Sequence, residues 1–396
     1  MNLLDFPAGF LDELQTIRRD IHAHPELGYE EHRTSDLVAA KLTEWGIPVK
    51  RGLGGTGVVG VIAGSGEGRT IGLRADMDAL PMKEMNTFEH ASKHEGRMHA
   101  CGHDGHTAML LGAAHWLSRH RDFAGKVVLI FQPAEESAGG AKRMIDDGLL
   151  EQFPLDAIFG MHNWPVHDHG TFGVRVGPMM AASNTFRVTI KGRGSHAAHP
   201  QRSVDPVMTA VQIAQSWQTI ITRNKNPHKA AVLSLTQIHA GSAFNVIPPD
   251  ASLIGTVRNY DPEVLDLIER RMREIAEHTA AAFGATVDFH FRRGYPALVN
   301  HAAETAFAVG VLESIVGQGN VNANMEPTMG AEDFAYFLQE LPGCYVFIAS
   351  GRDEHRDDLD GNPCNLHHPR YDFNDGLIPL GVTYWVKLAQ EFLLAR

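Results

Sequence analysis

The sequence predicts an α/β protein in two parts, an α/β domain interrupted by a smaller inserted unit. Three observations lead there. A chain of 396 residues exceeds what one hydrophobic core usually supports, so two domains are expected. Its first half alternates strand and helix signals, which imply a largely parallel sheet covered on both faces. From residue 185 to residue 294 the pattern becomes a self-contained run of strands and helices, after which the α/β pattern resumes.

The elements follow in order. "SDLVAAKLTEWG" (35–46) has helical period and ends at a glycine, while "TIGLRAD" (70–76), "GKVVLIFQP" (125–133) and "DAIFGMH" (156–162) are apolar runs of buried-strand length. Asp104 is placed to cap a helix running through "GHTAMLLGAAHWLSR". In the insertion, "TFRVTIKG" alternates as a strand and "VDPVMTAVQIAQSWQTII" is helical. "AVLSLTQIHAG" and "ASLIGTVRNY" are strands, "DPEVLDLIERRMREIAEHTAAAF" is a long amphipathic helix, and "ATVDFHF" is a strand. That order, β-α-β-β-α-β, is the order of a ferredoxin-like split unit. The expected division is therefore a discontinuous first domain at 1–184 and 295–396 around an insertion at 185–294.

Composition narrows the partners. Asp and Glu outnumber Lys and Arg by 47 to 35, a formal charge of −12 that repels a phosphate backbone, so nucleic acid is not expected. The start, "MNLLDFPAGFLDELQ", has acids where a signal peptide needs a basic region, and no apolar run approaches the roughly 18 residues of a membrane span. A cytoplasmic protein with no membrane partner is expected. Three scattered cysteines, Cys101, Cys344 and Cys364, do not make a disulfide framework, which leaves Cys101 free to act as a thiolate. Gly55, Gly57 and Gly60 have dinucleotide-fingerprint spacing, with Asp76 about 20 residues on, but "VVGVIAGSG" continues as a strand where the fingerprint needs a helix.

Ligands in open α/β sheets bind beyond the carboxyl ends of the strands. Here one strand runs out into Asp76 and Asp78, another into Glu135 and Glu136, and a third into His162, while Cys101 and His103 sit in a loop entering a helix. Donors from several elements converging on one edge are what a metal site requires. Neighbouring carboxylates in an extended segment point apart, so one of Glu135 and Glu136 can hold metal while the other serves as a base. A solvated acidic loop is the plain alternative for this pair, and a small buried hydrophobe the plain alternative for Cys101. "NLHHPRYDFND" offers His367 and His368 as a closing ligand, and spacing leaves both open. In the insertion, "GRGSHAAHP" places His196 and His199 on a glycine-rich turn, "AFNVIPPD" presents Asn245, and Arg258 is suited to a bidentate grip on a carboxylate.

Taken together, "RRDIHAHPELGYEE", "RADMDALP", "HACGHDGHTAMLLGAA", "FQPAEE", "GMHNWP", "GRGSHAAHP", "NVIPPDASLIGTVR" and "GAEDFAYF" resemble, in order along nearly the whole chain, one family. It is the hippurate hydrolase and N-acyl-L-amino acid amidohydrolase branch of the aminoacylase and carboxypeptidase metallopeptidases. The resemblance implies a metallopeptidase catalytic domain with an inserted lid, through which such proteins form homo-oligomers, dimers or tetramers. It implies two divalent metal ions, zinc or manganese with cobalt or nickel as alternatives, held by Cys101, His103, Glu136, His162 and His367. Glu135 would be the general base and Cys101 the bridging ligand. Asp78 would orient the site from behind the ligands, and Asp104 is read as a helix cap or a similar supporting partner. The lid's His196 would reach the reacting carbonyl, and Asn245 with Arg258 would grip the substrate carboxylate. The activity implied is hydrolysis of N-aroyl or N-arylacetyl L-amino acids such as hippurate. A dipeptidase or carboxypeptidase, or a hydrolase of indole-acetyl-amino acid conjugates, is the alternative.

Overall fold

The computed structural model of the chain describes residues 1–136, 139–165, 167–357, 359 and 361–394. The chain divides into two compact units. One comprises Met1–Met179, Val299–Glu326 and Asp333–Arg396, the other Met180–Leu298 and Pro327–Glu332.

The first unit is built on an eight-stranded sheet. In spatial order its strands are Val49–Leu53, Gly57–Ala63, Ala124–Gln132, Gly66–Asp76, Ala157–Pro165, Gly343–Gly351, Phe172–Gly173 and Val321–Asn322. The central four are parallel to one another, the flanks add antiparallel pairs, and the short edge pair of Val321–Asn322 with Phe172–Gly173 is parallel again, so the sheet is mixed around a parallel centre. The central strands are buried on both faces, as their unbroken apolar runs require: Val127, Leu129, Ile130 and Phe131 are all fully enclosed. Register aligns the strand ends. Asp76 is level with Gln132, so the segments that follow leave the sheet side by side. Gly57 and Gly60 lie inside an antiparallel strand, and no helix opens at them.

The helix His103–Arg119 packs against Phe10–Ala23 and Ile378–Leu394, and its residues from His103 to His115 are all buried. It begins one residue before the expected Asp104 cap. Its N-cap is Gly102, left-handed at φ 94°, with no side-chain cap. The strand expected to end at His162 continues to Pro165, so His162 projects from within the sheet edge.

The second unit is a four-stranded antiparallel sheet in the order Ala231–Ala240, Asp250–Asn259, Ala182–Lys191, Thr286–Arg293, the spatial order of a ferredoxin-like unit. Two helices, Pro206–Thr219 and Pro262–Ala282, pack on it. Each has proline at its first position and an aspartate before it, Asp205 or Asp261, that accepts backbone N–H bonds. Alternation on Asp250–Asn259 buries Ala251, Leu253 and Val257 against a core closed by Phe186, Trp217 and Met272. The segment Pro327–Glu332 joins this unit through Ala181 N–H and the Tyr260 hydroxyl, which donate to the Thr328 carbonyl at 3.2 and 2.9 Å. Its distance along the chain hid that contact from periodicity. Among the described residues no helix is long and apolar enough to cross a membrane.

Gly112 sets the closeness of three helices: a Cβ there would lie 2.6 Å from both Leu14 and Val382, whose side chains are buried. Gly112→Val should therefore overpack the core and cost about 1–3 kcal/mol. The check is urea unfolding, with the midpoint expected to fall at unchanged slope.

Candidate metal centre

Three backbone segments reach the carboxyl edge of the sheet, and each turns through an unusual conformation. Gly102 is left-handed between Cys101 and His103, and a Cβ there would strike the Asn163 side chain at 2.2 Å, so only glycine fits. Ala134, before Glu135, has φ 54°, and His367 has φ 65°. Non-glycine residues in this region carry strain that the surroundings must hold. Glu31 holds the first by accepting the Ala134 N–H at 2.8 Å and the Thr56 hydroxyl at 2.5 Å. The His367 N–H donates to the Ala100 carbonyl at 2.7 Å, which ties that loop to the residue before Cys101.

These segments assemble overlapping donor groups. The ligand atoms of Cys101, His103 and His162 lie within 4.8 Å of one another, as do those of Cys101, Glu136 and His367, and those of His103, Glu135 and Glu136. Cys101, His103 and Glu136 each belong to two of these groups, so the groups form one continuous cluster. Cys101 Sγ is 3.4 Å from His162 Nε2, and His367 Nε2 is 3.2 Å from Glu136 Oε1. His367 enters the cluster, whereas His368 turns its Nδ1 back to the Arg370 N–H. Asp78 spans the cluster from behind: one oxygen is 3.3 Å from His103 Nδ1 and the other accepts the Glu136 N–H at 2.9 Å. A carboxylate on the far nitrogen of a histidine fixes the ring and leaves its other nitrogen for metal.

Two buried atoms say what the cluster lacks. His103 Nε2 has no hydrogen-bond partner among the described residues, and Glu136 Oε1 faces imidazole nitrogens, His367 Nε2 at 3.2 Å and His103 Nε2 at 3.9 Å, without hydrogen-bond geometry. Buried polar atoms so poorly satisfied are costly, and a bound divalent cation would relieve that cost. Charge leads to the same conclusion. Burial, then the Glu136 and Glu135 carboxylates, push the Cys101 thiol well above its usual range, so a thiolate there needs a compensating cation. Burial and the nearby His106 hold His162 neutral, the form that ligates. One thiolate, three imidazoles and carboxylates suit a divalent transition metal.

Several residues without an expected role frame the site. His106 links Asp76 Oδ1 at 2.6 Å to the Asn163 N–H at 3.0 Å, and Asn163 Nδ2 bonds the Tyr371 hydroxyl at 2.5 Å. Asp76 is also paired with Arg74 at 2.7 Å, and Arg74 reaches Asp333 at 3.0 Å. The Asp333 N–H donates to Glu135 Oε1 at 3.3 Å. The signals were there, in "PELGYEE" and "GAEDFAYF", but a carboxylate that holds a backbone amide has no spacing signature. Asp104 is not a helix cap. It faces away from the cluster, accepting from His22 at 2.9 Å and meeting Arg18 at 3.5 Å, and Arg18 also binds Asp372 and Asp375.

In the second unit, His196 and Asn245 meet through the short pairing of Ser195–His196 with Val246–Ile247, reinforced by the Ala197 N–H donating to the Asn245 carbonyl at 2.9 Å. His196 Nδ1 accepts the Ala198 N–H at 3.1 Å, which assigns the ring proton to Nε2. Arg258 lies on Asp250–Asn259 and is half-buried, and burial lowers its pKa. It has no acidic partner among the described residues, which leaves a guanidinium free to meet an anion.

The family model for "Peptidase family M20/M25/M40" matches residues 72–391. The chain belongs to this family. It is 39% identical to the hippurate hydrolase of Campylobacter jejuni across 99% of this chain and all of that one. It is 40% identical to the IAA-amino acid hydrolase ILR1-like 4 of Arabidopsis thaliana, across 97% of this chain and 87% of that one. A solved structure of Bacillus subtilis YXEP, described as a dinuclear metal binding peptidase from the M20 family, superimposes with a TM-score of 0.83 at 34% identity, covering 98% and 99% of the two chains. The M20 protein described here is accordingly an amide-bond hydrolase that uses divalent metal.

His22 reports on the frame. Burial alone would lower its pKa, but hydrogen bonds to Asp104 and Glu84 reverse this and raise it to about 9. Its charge thus contributes stability that is complete below the unfolded value of about 6.5 and lost as pH rises through the folded one. His22→Gln should lower the thermal midpoint of metal-free protein more at about pH 6 than at about pH 10. Equal losses at both would mean the ring is neutral throughout.

Proposed function

We propose that the protein hydrolyses the amide bond of N-aroyl or N-arylacetyl L-amino acids such as hippurate, releasing a carboxylic acid and an amino acid. The observation that carries this is the position of Glu135 beside a continuous donor set of Cys101, His103, Glu136, His162 and His367. The full-length likeness to a hippurate hydrolase supports the acyl-amino acid substrate class. Cys101, His103, Glu136, His162 and His367 would hold two divalent ions, zinc or manganese, with cobalt or nickel as alternatives. Three buried free cysteines suit a reducing compartment such as the cytoplasm.

Bound ions would supply Lewis acidity, lowering the pKa of the attacking water and drawing charge from the carbonyl oxygen. Glu135 takes the proton of that water and returns it to the leaving amine nitrogen. Its carboxylate is aimed by the Asp333 N–H, and the turn that presents it is held by Glu31. His196, with its proton on Nε2, donates to the carbonyl oxygen as charge develops there. Arg258 takes the substrate carboxylate in a bidentate grip, and Asn245 assists. A substrate without that carboxylate loses this anchor, which separates acyl-amino acids from simple amides.

Glu135→Gln should bind metal in the wild-type ratio while kcat for benzoyl-glycine falls about 10²- to 10⁴-fold. Elemental analysis and steady-state kinetics check both, and a variant with normal kcat would remove Glu135 from the mechanism. Chelation should abolish activity and a divalent ion restore it, the most effective ion naming the native metal. Failure of every divalent ion to restore a protein that remains folded would overturn the two-metal reading.

A further inference from the structure

Beside the metal centre, on the same edge of the sheet, lies a second concavity of about 220 Å³. One wall is aromatic. Trp164 and Phe347 stack with ring centroids 4.2 Å apart and planes 12° from parallel. The register places this wall next to the candidate ligands, because Phe347 is the strand partner of His162 and Ala349 the partner of Trp164. Residues paired across neighbouring strands, and residues two apart on one strand, share a face of the sheet. Trp164 and His162 are therefore on one face, with ring centroids 6.3 Å apart.

The opposite wall is also apolar. Met325 supplies it: Gly173, the strand partner of Phe347, lets the Met325 thioether lie against the strand, since a Cβ there would be 2.2 Å from the sulfur, while Phe172 and Val321 contribute backbone and turn their side chains to the core face with Ile348. A thioether facing aromatic rings is a favourable lining for a further ring. Of the polar side chains at the rim, Asn320 Nδ2 donates to the Val316 carbonyl, the Thr171 hydroxyl donates to the Asp168 carbonyl and Asn322 Oδ1 accepts the Asn324 N–H, and His167 completes the polar edge. No Asp, Glu, Lys or Arg is among the described lining residues. For scale, an apolar cavity of about 150 Å³ accepts benzene.

We propose that this pocket holds the aromatic ring of the substrate's acyl group. The inference rests on the reading of the chain as an N-acyl-amino acid hydrolase and adds where the acyl group is recognised. An amide carbonyl at the metal centre leaves a benzoyl or arylacetyl ring one short arm away, on the side of His162 where Trp164 and Phe347 stand. Ring-on-ring contact with that wall adds to plain burial. Acetyl substrates leave the pocket to water and lose that gain.

Gly319 allows a clean test. It lines the pocket, and a Cβ built on it meets nothing within 4 Å, so a leucine there adds bulk at the pocket mouth without a clash. The ratio of kcat/KM for N-benzoylglycine to that for N-acetylglycine is measured with metal-loaded protein, in wild type, Gly319→Leu and Trp164→Leu. The wild type should favour the benzoyl substrate by about 10-fold or more, and both variants should lose most of that preference. Because a ratio is read, general damage to the site does not imitate the result. Benzoate and acetate are titrated in parallel against metal-loaded wild type and Gly319→Leu, with binding followed by calorimetry. Benzoate should bind the wild type more tightly than acetate, and Gly319→Leu should weaken benzoate alone. If the wild type cleaves neither substrate, the N-acyl-amino acid reading falls, and the benzoate titration still decides the pocket. An unchanged selectivity ratio in Gly319→Leu, or unchanged benzoate affinity where nothing is cleaved, overturns it.

Discussion

The structure depends on one electrostatic constraint, the crowding of a thiol and several carboxylates into a buried edge where water cannot compensate them. Cys101, Glu135, Glu136 and Asp78 are all largely enclosed, with imidazoles among them. Such a group is stable only with cations, and the cost of leaving a buried charge unpaired is several kcal/mol. Two kinds of cation answer it. The frame uses fixed ones, with Arg74 against Asp76 and Asp333, and Arg18 against Asp104, Asp372 and Asp375. The cluster itself leaves His103 Nε2 and Glu136 Oε1 without hydrogen bonds among the described residues, and a divalent cation would answer them.

Holding that arrangement requires backbone that an ordinary turn does not supply. Gly102, Ala134 and His367 are all left-handed, each adjacent to or part of the donor set. Ala134 and His367 give up conformational energy to be there, and each has a dedicated restraint, Glu31 on one and the Ala100 carbonyl on the other. Burial raises Glu31 to about pH 7, so its grip on Ala134 is itself a feature of the folded surroundings. The buried chain from Arg74 through Asp76, His106 and Asn163 to Tyr371 ties the strand ends to the loop that carries His367. Rigid support of this kind is what keeps donors at bonding geometry when each comes from a different element.

Chemistry and recognition use different surfaces of the same sheet edge. Glu135 and the candidate donors stand at the ends of the central strands, while the aromatic wall is made by Trp164 on Ala157–Pro165 and Phe347 on its neighbour Gly343–Gly351. The common element is Ala157–Pro165, which carries both His162 and Trp164. Its two-residue repeat couples the position of the reacting carbonyl to that of the acyl pocket, and a change in this register would move both.

Much of this protein was legible in one dimension. Apolar runs and helical periods located the principal strands and helices, and the β-α-β-β-α-β order described the insertion, because these depend on local pattern. Residue types after strands pointed to side chains that the fold gathers at one edge, since a parallel sheet delivers its carboxyl ends there. Tertiary structure alone decided the rest. It brought His367 rather than its neighbour His368 to Cys101, turned Asp104 away toward His22 and Arg18, and recruited Glu31, Asp333 and Tyr371 as supports. It also put Phe347 beside His162 across 185 positions of chain. Hydrogen bonds and packing between residues far apart in sequence leave no periodicity to read, so only the folded chain specifies which side chains meet.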